Sequence, residues 1–571
     1  MSSFVPGLGV LRSYERRWLP RDAVAGLVLV ALLVPQGMAY AELAGLPAIT
    51  GLYTSILCLM GYAIFGPSKI LVLGPDSSLG PMIAATILPI AGAQGDPARA
   101  IALASMLALL VGGIMVLAGA AKLGFIADLI SKPTIVGYLN GLALTIFASQ
   151  LPKLFGFSVE GDGFIPELKG FVRGLAHGEA VGAAVIVGVL GIVVILALQR
   201  TIPKVPGVLV AVVLSIAAAS LFNLSEHGVS LVGPLPQGFP PFTIPHVRLA
   251  DMPLLIGGAF GIAVVALADT ISLATSLAAR SGEDVDGSRE MIGIGAANAA
   301  AGLFQGFPVS SSASRSAVAE QAGAKTQITG VVGAIGITLI LLLAPGLLKN
   351  LPNPTLAAVV ICAALSLVDI KSARRLYRQR KTEFSLAVAA FLGVTLLGVL
   401  PGIAIAVALS IGNVFRRAWW PYQTVLGRPT GIPGYHDVRS YPEAEQIPGA
   451  VIFRFDAPLF FANARAFSEE ITRLTRSDPP LRWIIVAAEP ITDVDTTASD
   501  MLEDLDEDLN ARSISLVFAE MKDPVRRKIN RYGLTRTIDP AHFFPTIEAA
   551  IEAFRRTVAP EPIETTSEDL E

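Results

Sequence analysis

Most of the chain before residue 420 consists of uncharged apolar runs, each about as long as a bilayer core is thick. Runs at 43–68, 77–95, 101–121, 133–152, 180–199, 205–225, 326–348 and 351–368 reach or nearly reach the roughly 20 residues a helix needs to cross the hydrocarbon region. Hydrophobic residues make up 53% of the 571 positions and charged residues only 16%, against about 25% charged in soluble domains. A disordered chain and an ordinary water-soluble enzyme are excluded, and a membrane-embedded protein is expected. The first apolar stretch, from about Ala23, is too long for a signal-peptide core and lacks a small-residue cleavage pattern, so it is read as retained. The run at 384–415 is too long for one span, and Pro401-Gly402 near its middle is expected to end one helix and start another. Hydropathy alone gives about 11 to 14 crossings.

Basic residues set the expected orientation. Arg12, Arg16, Arg17 and Arg21 precede the first span, and Lys371, Arg374, Arg375, Arg378, Arg380 and Lys381 precede the run at 384. Both segments are expected in the cytoplasm. With fourteen crossings, Lys69, Lys122, Lys132, Arg200, Lys204, Arg280 and Lys325 fall on the same side, and the even count returns the C-terminus there. The formal charge of −3 offers no basic field for nucleic acid. Cys58 and Cys362 lie far apart in apolar runs, so neither a disulfide framework nor a cysteine metal site is suggested.

From about Tyr435 the composition becomes that of a soluble domain. VIFRFDA at 451–457, WIIVAAE at 483–489 and SISLVFAE at 513–520 read as buried strands separated by helical patterns, which indicates a small α/β domain. Within the membrane region the two halves look related. Gly74-Pro75 and Phe307-Pro308 are separated by the same distance as Gln36 and Asp269, and Pro-Thr pairs open later spans at Pro133-Thr134 and Pro354-Thr355. Interrupted segments at matching places in two halves point to an inverted-repeat transporter with its site at the midplane.

Four segments carry candidate chemistry. VPQGMAYAELAGLPAITGLYTS at 34–55 interrupts the first spans with Pro, Gln and Gly; it is either a kink relieved by packing or a segment that points Gln36 and Tyr40 into a cavity. GPDSSLGP at 74–81 has the form of a breaker before a short helix, with Asp76, Ser77 and Ser78 as good capping residues. Were that helix to start at the midplane, its free N–H groups and positive dipole end would hold an anion. PVSSSASRSAVAEQAGAKTQITG at 308–330 is a hydroxyl-rich helix start with one fixed charge, Arg315, which either serves a site or pairs structurally with an acid. Gly323-Ala324-Lys325-Thr326 superficially looks like an ATP loop but lacks the glycine before Lys. Asp269, between apolar residues, must bind a proton, bind a cation or pair with a base such as Arg315, and Ser272 lies one turn on.

Together the segments from Val34, Gly74 and Pro308, followed by an α/β tail, resemble the sulfate permease (SulP) family of anion transporters with a C-terminal STAS domain, over nearly the whole chain. The resemblance implies an α-helical membrane protein of fourteen transmembrane segments, two inverted repeats of seven forming core and gate domains, followed by a cytoplasmic α/β STAS domain. On this reading 1–21 is a cytoplasmic N-terminus, 22–420 the transmembrane domain, 421–436 a linker, 437–558 the STAS domain and 559–571 a disordered acidic tail. It implies an anion site between two half-helices facing each other at mid-membrane, lined by Gln36, Tyr40, Ser77, Ser78, Ser314 and Arg315. Many relatives have Glu in place of Asp269, and some bicarbonate-transporting relatives are similar in using Asp for sodium. The tail resembles STAS domains in which a Ser or Thr after a strand-ending Asp is phosphorylated; Thr496 and Thr497 follow Asp495 here, so Thr496 is a regulatory phosphosite or a simple capping hydroxyl.

The expected function is secondary active transport of a small inorganic anion or dicarboxylate (sulfate, bicarbonate or a dicarboxylate), with Na+ or H+ coupled at Asp269 and Ser272. No cofactor or metal is expected beyond that Na+. Alternatives are a passive anion channel or exchanger on the same scaffold, and a membrane-anchored STAS signalling protein. An enzyme is not expected, because the five histidines are scattered and no nucleophile–base pair is evident. The expected setting is the lipid bilayer of the cell membrane, multi-pass, as a homodimer with both termini cytoplasmic.

Overall fold

The computed structural model describes residues 6–7, 13–91, 96–124, 131–159, 163–202, 205–281, 285–476 and 480–558. Arg12, Lys204 and the acidic tail at 559–571 lie outside the described residues, as does the side chain of Arg280. The chain divides near residue 411 into two compact units.

In the first unit α1 (Leu19–Leu43) and α2 (Ala48–Phe65) are followed by a two-residue strand β1 (Leu73–Gly74), a short helix α3 (Gly80–Ala91), then α4 (Pro97–Ala120) and α5 (Lys132–Leu154). A short amphipathic helix α6 (Phe164–Ala176) precedes α7 (Gly182–Thr201) and α8 (Gly207–Leu221). The order then repeats. α9 (Met252–Ser281) and α10 (Gly287–Leu303) lead to β2 (Ser310–Ser311), a short helix α11 (Ala313–Gln321), α12 (Ile328–Leu343) and α13 (Asn353–Leu367). A cationic amphipathic helix α14 (Ile370–Gln379) precedes α15 (Lys381–Leu392) and α16 (Val399–Trp419). Eight helices among the described residues are long and apolar enough to cross a membrane. Ile186, Leu190 and Val193 on α7 are more than half exposed, which suits a lipid-facing surface.

Pro35 does not break the first helix; it sits inside the continuous α1, where neighbouring helices offset the lost hydrogen bond. The expected break in the run at 384–415 is real but lies earlier than Pro401-Gly402. α15 ends in a π-turn at Gly393–Leu397, and Gly398, at φ 99°, turns the chain. Pro401 then falls in the first turn of α16, where no intrahelical N–H is required.

The interrupted segment at 34–55 makes α1 and α2 touch backbone to backbone. A Cβ added to Gly51 would lie 1.9 Å from the Gly37 carbonyl oxygen, the close approach small residues permit between membrane helices. Gly51→Val is therefore expected to abolish accumulation of folded protein, read by size-exclusion of the detergent-extracted chain. Gly113→Val on α4, where nothing lies within 4 Å, should leave it unchanged.

The second unit is a six-stranded sheet in the order β4-β3-β5-β6-β7-β8, with β3 (Gln423–Gly427), β4 (His436–Asp437), β5 (Ala450–Phe455), β6 (Trp483–Ala487), β7 (Ser515–Ala519) and β8 (Phe543–Phe544). β5 through β8 are parallel, and β3 pairs antiparallel with β4 and β5. The three strands read from the sequence are β5, β6 and β7. The segment read as a linker, 421–436, instead contributes β3 to the sheet. Alternate side chains enter two cores, Phe453, Phe455 and Phe518 on one face and Ile452, Ile485 and Val517 on the other. Helices α17 (Ala464–Leu474), α18 (Thr496–Asn510) and α19 (Asp523–Tyr532) cover the first face, and α20 (Ile547–Val558) the second.

Asp506 on α18 is buried against the first core, held by the Asn510 amide at 3.0 Å. Burial pushes its carboxyl up to about 6, from 3.8. A raised acid binds its proton more tightly when folded, so this residue costs stability at neutral pH and stops doing so as pH falls through 6 toward 3.8. Asp506→Asn should stabilise the isolated fragment 412–558 by about 1 kcal/mol at pH 7, a value reduced for solvent screening. The gain should vanish near pH 4 in paired thermal melts; equal gains at both pH values would refute the assignment.

Candidate functional site

Two short helices begin where extended chain interrupts the helical bundle. β1 and β2 pair antiparallel, Leu73 opposite Ser311 and Gly74 opposite Ser310, so the short helices that follow them leave the crossing in opposite directions. Extended backbone at this depth needs partners, and the surrounding helices supply them. Asn298 of α10 accepts from Val309 N at 3.0 Å and donates to Val309 O at 3.3 Å. Thr54 of α2 accepts from Phe307 N at 3.1 Å, and Ser316 of α11 accepts from Val72 N at 3.0 Å.

Asp76 shapes the start of α3. Its Oδ1 accepts from Ser78 N at 2.9 Å and from Ser78 Oγ at 2.8 Å. The start of α11 carries Arg315, whose side chain is 1% exposed. Its Nη1 donates to Pro75 O at 2.6 Å, and Nη2 lies 3.8 Å from Asp76 Oδ2. Nε and Nη2 are buried without a hydrogen-bond partner among the described residues. Half of the guanidinium fork thus fixes the chain before α3, and the other half is left with unused donors.

The sequence-predicted residues divide around this centre. Gln36 of α1 has its side-chain oxygen buried and unpartnered among the described residues. One turn on, Tyr40 is buried, with its hydroxyl facing Ser77 and with Asp76 and Arg315 near enough to act on it electrostatically. Ser77 and Ser78 are buried at the start of α3. Asp269 of α9 meets the same cluster, since Ser78 Oγ lies 3.3 Å from its Oδ2. The acid nearest Arg315 is therefore Asp76, while Asp269 is joined to the centre through Ser78. Ser314 and Ser272 are not gathered in. Ser314 is exposed and bonds to Ser312 at 3.1 Å, and Ser272 is exposed on α9. Thr496 stands exposed as the first residue of α18, after Asp495, which caps Ala498 N at 2.8 Å.

Beside Asp269 a narrow cavity of about 20 Å³ opens between α5, α9 and α16, lined by Thr134, Tyr138, Val265, Asp269, Ile403 and Ala406. The Tyr138 hydroxyl is buried without a partner among the described residues and lies within electrostatic reach of Asp269. Reading the sequence for site residues passed over Tyr138 and the pairing of Asp76 with Arg315. The available signal for Tyr138 was its place one turn after the Pro133-Thr134 helix start. No group of three or more potential metal ligands occurs among the described residues.

Residues 19–390 match the model of the Sulfate permease family. The chain belongs to the sulfate permease family. Residues 441–550, which hold β5 to β8, match the STAS domain. This family member is 40% identical over 556 residues to a probable sulfate transporter of Mycobacterium tuberculosis (strain CDC 1551), covering 97% of this chain and 99% of that one. It is 31% identical over 563 residues to the chloroplastic sulfate transporter 4.1 of Arabidopsis thaliana, covering 95% of this chain and 81% of the other. Among solved structures, the murine Solute Carrier 26 family member A9 anion transporter in its inward-facing state superposes with a TM-score of 0.89 at 23% identity, over 97% of this chain and 94% of that one. The transmembrane domain of a cyanobacterium bicarbonate transporter, BicA, gives 0.60 at 19% identity over 69% and 98%. These structural likenesses establish the fold: a helical membrane region followed by a STAS domain.

Proposed function

We propose that this chain is a secondary active transporter of a small anion, with sulfate first among the candidates and bicarbonate and dicarboxylates next. The observation that carries this reading is the buried Arg315 with two unused donors beside the starts of α3 and α11. A buried cation with free N–H groups attracts an oxyanion, and two helix starts add their dipoles to its field. Gln36, Tyr40, Ser77 and Ser78 supply further polar groups within the same cluster. Ser314, although exposed, stands next to Arg315 in the first turn of α11 and would meet the anion from its open side. The relatives are named sulfate transporters.

Counting the shorter helices as well, we take α1–α5, α7 and α8 as seven crossings and α9–α13, α15 and α16 as another seven. We read these as the two inverted repeats. Alternating access then moves the helices bearing the site against those lining the cavity near Tyr138. Asp269 is the coupling group, taking Na+ or H+ as co-transported cargo, with Ser272 as the weaker partner because it faces away. The clusters of Arg and Lys support a cytoplasmic setting for both termini, and a homodimer in the cell membrane is the proposed assembly. Thr496, exposed at a helix start, is the proposed phosphosite.

Uptake into proteoliposomes tests the reading, using labelled sulfate, bicarbonate and succinate, each with and without Na+ and pH gradients. Gradient-driven accumulation of one anion supports it. Uptake indifferent to both gradients would favour a channel or exchanger, and no uptake of any anion would refute anion transport.

A further inference from the structure

The amphipathic helix α14 has no part in the anion site. Its cations Lys371, Arg374, Arg375 and Arg378 are spaced i, i+3, i+4 and i+7, so they form one stripe along a single face. All four are exposed, and none forms an ion pair among the described residues, whereas Arg380, just past the helix, pairs with Glu383 at 3.3 Å. Asp369 caps the helix by accepting from Ser372 N at 2.9 Å; it lies in electrostatic reach of Arg375 and also of Lys132 on α5. The stripe therefore keeps a net positive charge that the surrounding chain does not neutralise.

The other face of α14 is apolar, and only part of it is covered. Leu376 is buried against Val136 of α5 and Ala387 of α15, and Asp369 N donates to Asn140 Oδ1 of α5 at 3.1 Å. The helix is thus fixed against the bundle. Ile370 and Tyr377 nevertheless stay 69% and 59% exposed, following the exposed Leu365 and Val368 at the end of α13. The Tyr377 ring is held edge-on by Phe384, 5.1 Å away between centroids. An exposed apolar edge beside an exposed cation stripe fits the boundary between acyl chains and headgroups, a depth at which tyrosine rings also settle.

The helix at the matching place in the first half differs in charge. α6 stands between α5 and α7 as α14 stands between α13 and α15. It too exposes an apolar edge, Ile165, Leu168, Val172 and Leu175, but its cations are only Lys169 and Arg173, with Glu167 beside them in sequence. In an inverted pair the two helices lie at opposite surfaces. Both suit an interface, and only α14 carries the charge to select among headgroups.

We propose that α14 is a docking surface for anionic phospholipid, in which Lys371, Arg374, Arg375 and Arg378 hold headgroup phosphates while Ile370 and Tyr377 enter the acyl boundary. A guanidinium fork matches the oxygens of a phosphate, and three of the four cations are arginines. In the orientation proposed above, α14 faces the cytoplasmic leaflet, whose anionic lipids give it a negative surface. The bound lipid bears on α5 and α15, against which α14 packs, and α5 supplies Thr134 and Tyr138 to the cavity beside Asp269. The inference goes beyond the anion-transport reading and does not rest on it, because docking needs only the bilayer.

The test is calorimetric titration of the purified full-length protein, in a neutral maltoside detergent, with dioctanoyl phosphatidylglycerol and with dioctanoyl phosphatidylcholine as the neutral reference. Wild type should bind the anionic lipid at least about tenfold more tightly than the neutral one, and added salt should shrink that preference. Lys371→Gln, Arg374→Gln, Arg375→Gln and Arg378→Gln combined should weaken phosphatidylglycerol binding by about tenfold or more and leave phosphatidylcholine binding unchanged. If that variant fails to fold, Arg374→Gln with Arg378→Gln should still lose about threefold. Lys169→Gln with Arg173→Gln on α6 should change neither lipid. Unaltered phosphatidylglycerol binding by the fourfold variant would overturn the proposal and leave the stripe for an acidic protein partner. Equal loss of both lipids would also overturn it, since the headgroup charge would then not be what is read. Glycerol 1-phosphate, the headgroup chemistry without chains, should not displace the lipid; displacement at equal concentration would make this a site for soluble phosphates and sink the lipid assignment. None of these outcomes touches anion transport, which stands or falls on uptake.

Discussion

Arg315→Ala is expected to lower anion uptake by about a hundredfold or more at matched membrane abundance. The side chain offers two buried donors without partners, and hydrogen bonds to charged groups contribute roughly 1.5–3 kcal/mol each, so losing both costs about 3 kcal/mol of anion binding or more. The fold should survive, because the bond from Nη1 to Pro75 O is one of several holding the crossing; the β1–β2 pairing and the Ser316–Val72 bond remain. Arg315→Lys separates charge from geometry, since an ammonium keeps the field but cannot hold Pro75 O and an anion with one planar fork. It should recover part of the loss. Equal uptake by Arg315→Ala and wild type, with abundance measured on the same vesicles, would remove this residue from the site.

How far the sequence foretold this arrangement depended on whether a feature was local. The apolar runs, the breaks at Gly74-Pro75 and Phe307-Pro308, and the serines after them are local, and they mark α3 and α11 as helices that begin inside the bundle. The partner of Arg315 is not local. It lies 240 positions away at Pro75 and Asp76, and no spacing rule could favour Asp76 over Asp269. Capping residues fix where a helix starts but not which way its neighbours turn, so Ser314 and Ser272 were grouped with the site although both are exposed. Two buried acids went unread for the same reason. Asp22 accepts from Lys325 N at 2.6 Å and Thr326 Oγ1 at 2.8 Å, so the stretch that superficially looks like an ATP loop is a clamp around a carboxylate. Glu290 accepts from Tyr62 at 2.7 Å. In the second unit, β3 is a five-residue strand, Gln-Thr-Val-Leu-Gly, paired on both sides by β4 and β5; too short and too mixed in polarity to mark itself as a strand, its sequence reads as a linker.

Asp269→Asn is expected to remove gradient-driven accumulation while leaving anion exchange down a concentration difference. The carboxylate borders the cavity shared with Tyr138 and touches the Arg315 cluster through Ser78, so it stands between that cavity and the groups proposed to bind the anion. An amide keeps the size and can still meet Ser78, but it carries no charge to attract Na+ and does not take up a proton near neutral pH. Loss of folding is thus not the expected consequence, and a melting temperature near that of wild type is the control. Should Asp269→Asn still concentrate sulfate against its gradient, driven by Na+ or by pH, the coupling group lies elsewhere in the bundle.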